Sequence, residues 1–128
     1  RNNIFAFNRE LGAVRGSRPE VQGIPCSFHF VNNIVYIDHG PLTNGDIRNV
    51  GGVWANNVWF DARGKGQAKI GGKTWDAWAA CGRESGSVFA DPKFVDAAKF
   101  DFRLRPDSPA PKTGFKPFDL TGVGSTLR

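Results

Sequence analysis

An all-β chain of short parallel strands, wound turn upon turn, is the architecture this sequence predicts, and three observations predict it. First, "RNNIFAFN" at 1–8, "VNNIVYID" at 31–38 and "ANNVWFD" at 55–61 are variants of one pattern. Aligning Asn3, Asn33 and Asn57 gives spacings of 30 and 24 residues, within the range that marks stacked repeats. Second, 16 Gly and 8 Pro promise many turns and little long helix, while 11 Phe and 4 Trp supply a core. Third, paired asparagines suit the corners of such a stack. Asn tolerates left-handed backbone, and its amide can hydrogen-bond to the same amide one turn above and below. Each turn then rises by about 4.8 Å, the strand spacing within a sheet.

The elements follow in chain order. In "SFHFVNNIVYID" (27–38), β-branched and aromatic residues are dense. Phe28, Phe30, Ile34 and Tyr36 share one parity, with His29 and Val31 on the other, so the segment reads as strand around an Asn corner. "GGVWANNVWFDARG" repeats the form with Val53, Trp54, Val58 and Phe60 between glycines. The pattern changes between Gly64 and Ser87. In "GGKTWDAWAACG", Thr74 is placed to cap a short helix, Asp76 lies in its first turn and Gly82 stands where it should stop. Trp75 and Trp78, at i,i+3 spacing, then share a face that packs this protruding helix back onto the turns. Further on, Phe100, Phe102 and Leu104 alternate with Asp101, Arg103 and Arg105 as a half-buried strand. The proline-rich stretch from Pro106 to Pro117 offers no regular hydrogen-bonding edge, which reads as a device that ends the stack.

One domain is expected, divided into repeat turns (1–63), an excursion with the short helix (64–87) and a last turn with a C-terminal cap (88–128). The chain contains no methionine, and Arg1 falls in the middle of a repeat, so a fragment of a longer chain is expected. Two cysteines, Cys26 and Cys81, allow one bridge without requiring it, and two free buried thiols fit equally.

The runs "DPKFVD" (91–96), "DFRLRPDSPA" (101–110) and "GFKPFD" (114–119), preceded by "NNIFAFNRE" and "NNIVYIDHGPL", resemble the C-terminal end of bacterial right-handed parallel β-helix repeat proteins. The resemblance covers essentially the whole chain. It implies a right-handed parallel β-helix, a solenoid of a few coils. It also implies a carbohydrate-active protein, because members of this broad group are mostly polysaccharide lyases, glycoside hydrolases and their relatives. It transfers no catalytic residue, and the expected module is part of such an enzyme, a non-catalytic carbohydrate-binding module or a structural cap.

Candidate chemistry comes from the residues themselves. Asp38 and Asp61 follow the two best-matched strands. Asp38 lies five residues beyond Asn33 and Asp61 four beyond Asn57, so they stack only if one strand carries a bulge. Carboxylates about 5 Å apart raise one another's pKa and can divide acid and base roles, as retaining glycosidases require. These two are therefore the catalytic candidates, against a reading as solvated turn residues. Arg15, Arg18 and Arg48 lie in polar loops, where guanidinium forks could anchor uronic acids. Trp54 and Trp59 could offer flat faces to sugar rings, although tryptophan is chiefly a packing residue.

His29 and His39 lack partners at zinc-ligand spacing, so no metal site and no cofactor is expected. The formal charge is +5, but the basic residues are scattered, which disfavours nucleic acid and fits an acidic polysaccharide. No apolar run reaches the roughly 18 residues that span a bilayer, so no membrane partner is expected. A secreted or periplasmic location goes with the carbohydrate reading. The uncapped turn at Arg1 exposes backbone that a second copy could cover, so a homodimer through that end is expected.

Overall fold

The computed structural model describes residues 1–8, 14–15 in backbone alone, 29–44, 53–64 and 69–119. Its strands are β1 (Ile4–Ala6), β2 (Val14–Arg15), β3 (His29–Val31), β4 (Ile34–Ile37), β5 (Thr43–Asn44), β6 (Val53–Ala55), β7 (Val58–Asp61), β8 (Val88–Phe89), β9 (Phe94–Asp96) and β10 (Asp101–Leu104), with one helix, α1 (Trp75–Ala79). The chain is mostly β, and its sheets are largely parallel. Four strands pair in the order β1-β4-β7-β8, while β2 pairs with β5 and β3 with β6, all in parallel. Only β9 and β10 pair antiparallel among the described strands.

The repeated Asn pair divides its work between its two members. The first residue of each pair, Asn2, Asn32 or Asn56, turns the corner in left-handed conformation, at φ 60°, 55° and 55°. This is a conformation that Asn adopts more readily than most side chains. The second residue builds a ladder. The Asn33 side-chain oxygen accepts the Asn3 backbone N–H at 3.0 Å, and the Asn57 oxygen accepts the Asn33 N–H at 2.9 Å. Backbone follows the same rule, with Ile34 N donating to Asn3 O, Val58 N to Asn33 O and Val88 N to Asn57 O at 2.8–2.9 Å.

A fourth copy of the corner, which the sequence pattern hides, ends the ladder. Gly86 (φ 71°) takes the left-handed position, and Ser87 Oγ accepts the Asn57 N–H at 2.8 Å. Gly86 must lack a Cβ, since one built there would lie 2.1 Å from Asn56 Oδ1. The match to "NNVW" is "GSVF": glycine supplies the corner and a hydroxyl replaces the amide.

Both faces of the four-stranded sheet are covered. Toward one face, Val35, Ile37 and Trp59 pack with Phe30, Leu42, Trp54, Ile70, Trp75 and Trp78. Helix α1 closes this interior. Thr74 caps it by accepting the Ala77 N–H, and Trp75 and Trp78 are buried, so the expected cap and the packing role of the two tryptophans hold. The helix does not protrude, because it is the wall over those two rings. Cys81 just beyond it is exposed and free, which corrects the buried-thiol reading; Cys26 lies outside the described residues.

Toward the other face, Ile34 and Val58 pack against Phe94, Ala110 and Phe115. The last third therefore covers the flank of the sheet, where the sequence suggested a cap on its end. Side-chain amides hold it there. Asn2 Nδ2 donates to Lys116 O at 3.0 Å, Asn2 Oδ1 accepts Lys116 N–H at 2.7 Å, and Asn32 Nδ2 donates to Thr113 O at 2.9 Å. The run "DSPA" has its own lock, since the buried Ser108 hydroxyl donates to Pro92 O at 2.6 Å. Ile34 and Tyr36 thus face this strap while Phe30 faces the interior. The parity inferred across the whole segment breaks at the Asn corner, which turns the chain.

The ladder predicts a graded loss of stability. Replacing Asn57 by Ala leaves the Asn33 N–H without its side-chain acceptor and removes one donor each from Phe30 O and the Glu84 carboxylate. At about 1–3 kcal/mol for the buried N–H left unpaired and about 1 kcal/mol for each further hydrogen bond lost, the variant should lose about 3 kcal/mol or more in urea unfolding. Asn3→Ala at the exposed end should lose about 1 kcal/mol or less. Equal losses at the two positions would show that the ladder does not carry the stack.

Candidate functional site

The bulge that stacking of Asp38 on Asp61 requires is absent. Register is continuous between β4 and β7, and Ile37, not Asp38, lies opposite Asp61. The offset of one residue is therefore not corrected, and Asp38 lies just beyond the paired residues of β4. Asp61 is 1% exposed. Its Oδ1 accepts both the backbone N–H and Nε–H of Arg63 at 2.9 Å, and its Oδ2 accepts from Nη2 at 2.7 Å. Arg63 Nη2 also donates to Gly40 O at 2.6 Å, tying the turn after β7 to the turn after β4. Asp61 is thus committed to a clamp. The hydrogen bond to Asp61 raises the Arg63 pKa above its ordinary value, and the charge of Asp38 adds to it, so both carboxylates act on this guanidinium.

The expected sugar-binding tryptophans are core residues. Trp54 is 4% exposed and Trp59 is fully buried; Trp59 stacks on Phe30 and Trp54 packs against it tilted, with ring centroids at 5.5 and 5.2 Å. Their rings cannot reach a ligand because the interior has already taken both faces. Arg18 and Arg48 lie outside the described residues. Arg15 pairs in backbone register with Asn44. Exposed aromatic surface is instead phenylalanine: Phe100 is 71% and Phe118 44% exposed.

A different set of side chains does converge. A concavity of about 400 Å³ opens between the outer face of β4 and the β9–β10 pair, lined by Tyr36, Asp91, Phe94, Asp96 and Arg105 with Val95, Ala97 and Ala98. Each group has a local reason for its position. Asp91 Oδ1 accepts the backbone N–H of Lys93, which turns the chain at φ 57°. Asp96 caps the 3₁₀ turn Ala97–Lys99 by accepting the Lys99 N–H at 3.3 Å. Arg105 reaches back along the hairpin and donates to Val95 O at 3.2 Å. Tyr36 stands on the sheet between Phe7 and Phe60 and contacts Phe94, with centroids 5.4–5.7 Å apart.

The walls therefore offer two carboxylates as acceptors, a phenol that both donates and accepts, and a guanidinium. Burial raises the Tyr36 pKa first, and the nearby charges of Asp91 and Asp38 raise it further, so the phenol keeps its proton. Such a surface can receive hydroxyl groups in both senses. Among the described residues no group of three His, Cys, Asp or Glu side chains gathers to hold a metal. The sequence reading missed Tyr36 because it sits in an apolar strand. It took Asp91, Asp96 and Arg105 as marks of the chain's end, although two aspartates bracketing "DPKFVD" were the available signal.

Comparison with protein-family models, with curated proteins and with solved structures finds no match to this chain.

Tyr36 is the only tyrosine, so phenolate absorbance reads this site alone. The midpoint should lie above the ordinary value of 10.0 and fall toward it in Asp91→Asn. A folded-state pKa above the unfolded one means that stability is full below the unfolded value and declines as pH rises through the folded one. Thermal unfolding should therefore show a loss beginning near pH 10 that is weaker in Tyr36→Phe. A Tyr36 midpoint at or below the ordinary value would refute this description of the site.

Proposed function

We propose that this chain is a carbohydrate-active module, built as a right-handed parallel β-helix, that holds a polysaccharide at the Tyr36–Asp91–Asp96–Arg105 concavity. The parallel pairing, the recurring Asn corner and the ladder all support the helical coil, since each is what repeated turns of one handed path require. The concavity is the observation that carries the ligand assignment. It is large enough for a sugar ring or two, and its polar groups alternate acceptors with donors, the pattern that fixes a polyhydroxyl ligand's orientation. Binding without catalysis is the form best supported, because the pair proposed for glycosidic acid–base work is offset by one residue in register and Asp61 is held by Arg63. A secreted or periplasmic location belongs to the same proposal.

A second reading, that the chain is the structural end of a larger β-helix, is favoured by the way Ser87 and Glu84 close the ladder. The two readings differ in what they bind. Titration calorimetry against a panel of polysaccharides should find at least one ligand, and Asp91→Asn combined with Asp96→Asn should weaken it. Loss of one or two hydrogen bonds to charged groups corresponds to about 10- to 100-fold in Kd. The Asp38→Asn variant should bind unchanged, and no reducing sugar or unsaturated product should appear. A panel without any ligand would leave the structural reading, and release of product abolished by Asp38→Asn would restore the enzymatic one.

A further inference from the structure

The Asn ladder has a direction, and its two ends are built differently. Every ladder residue donates its backbone N–H to the side-chain oxygen of the next copy along the chain: Asn3 to Asn33, Asn33 to Asn57, and Asn57 to Ser87. At the far end the series is closed within one turn. Ser87 N–H donates to Glu84 O at 3.0 Å, its hydroxyl donates to Glu84 Oε2 at 2.6 Å, and the same carboxylate accepts from Asn57 Nδ2 and Trp78 Nε1. The near end is open. Asn3 is exposed whereas Asn33 and Asn57 are buried, and its Oδ1 receives no donor among the described residues.

The edge beside it is open too. The bonds Ile34 N to Asn3 O and Phe7 N to Tyr36 O fix which residues of β1 face β4. In a parallel ladder alternate residues face opposite neighbours, so Asn3, Phe5 and Phe7 address β4. Ile4 and Ala6 turn their N–H and C=O groups away from it, and β1 is the outermost strand of its sheet among the described residues.

We infer that the β1 edge is a docking surface for one further parallel strand bearing the same corner signature, whose ladder residue donates its backbone N–H to Asn3 Oδ1. The occupant is specified by continuity with the β1–β4 contact, which already pairs one such strand with the next in this geometry. Its chemistry is an Asn or Ser at the ladder position, a left-handed Asn or Gly before it, and alternating apolar residues after it. Strand addition of this kind draws affinity from the main chain and register from the side-chain contact. Growth at the opposite end by the same contact is excluded, because Glu84 already holds the groups it would use.

The test presents such a strand at high effective concentration. A duplicate of the segment 29–38 is fused ahead of Arg1 through a flexible linker of about 20 residues, and amide hydrogen exchange is compared with that of the unfused chain. Exchange at Ile4 and Ala6 should slow by about 10-fold or more, as expected for edge amides that gain partners. The gain should vanish in Asn3→Ala and survive in Asn3→Ser, which keeps an acceptor of the kind found at position 87. It should also vanish when both asparagines of the appended strand are replaced by alanine, a change that leaves the folded chain untouched. Unchanged exchange in the fusion, or a gain independent of Asn3, would overturn the inference. Protection in the unfused chain that grows with concentration alongside a dimeric mass would overturn it as well, by assigning the edge to a second copy.

Discussion

A backbone N–H at each inner corner has no strand partner available, because the neighbouring strand is turning at the same height. The structure answers with a side-chain oxygen from the next copy, and the remaining architecture follows from that answer. Asn33 and Asn57 can be buried because the side-chain oxygen of each accepts a backbone N–H, and Asn57 Nδ2 donates to Phe30 O and the Glu84 carboxylate. Once the corners stack, the strands on either side are in register without any bulge, which is why β1, β4 and β7 align residue for residue. The ladder also sets where the chain must place a terminator. A buried carboxylate would be costly alone, and Glu84 is tolerated at 5% exposure because Asn57, Trp78 and Ser87 all donate to it.

A sheet made this way presents apolar side chains on both faces, and the chain covers each with a different device. The interior takes large rings, with Trp54 edge-on to Trp78 and Phe30 stacked with Trp59. Truncating a buried ring of this size would cost about 3–5 kcal/mol. The outer face takes the strap formed by β9, β10 and the 3₁₀ turn Ala110–Thr113. Asn2 and Asn32 serve both the corner and this strap, since their side chains meet the backbone of Lys116 and Thr113.

The strap decides where polar chemistry can gather. Its aspartates are employed locally as turn and cap acceptors, and Asp101 is held by Arg103, which keeps its carboxyl down at about 2. Asp91 and Asp96 keep the same local duties while facing the concavity beside Tyr36. Asp61, by contrast, lies on the inward side of β7 and is closed off by its own arginine. Carboxylates of one residue type thus divide between clamp and concavity according to which face of the sheet they end on.

The sequence by itself determined the repeating unit. Asn3, Asn33 and Asn57 mark its phase, β-branched and aromatic residues mark its strands, and Thr74 with Asp76 marks helix α1, all through local chemistry that needs no partner to be read. It did not reveal the fourth corner, because Gly86 and Ser87 meet the same backbone and hydrogen-bonding demands with different residues. Nor did it separate Asp38 from Asp61, or withdraw Trp54 and Trp59 from the surface. Those outcomes depend on inter-strand register and on what lies across each face, and a one-residue offset reverses the side on which a side chain emerges. Tyr36, Asp91, Asp96 and Arg105 became neighbours only when the last third folded back over β4, a contact between distant parts of the chain that no local pattern encodes.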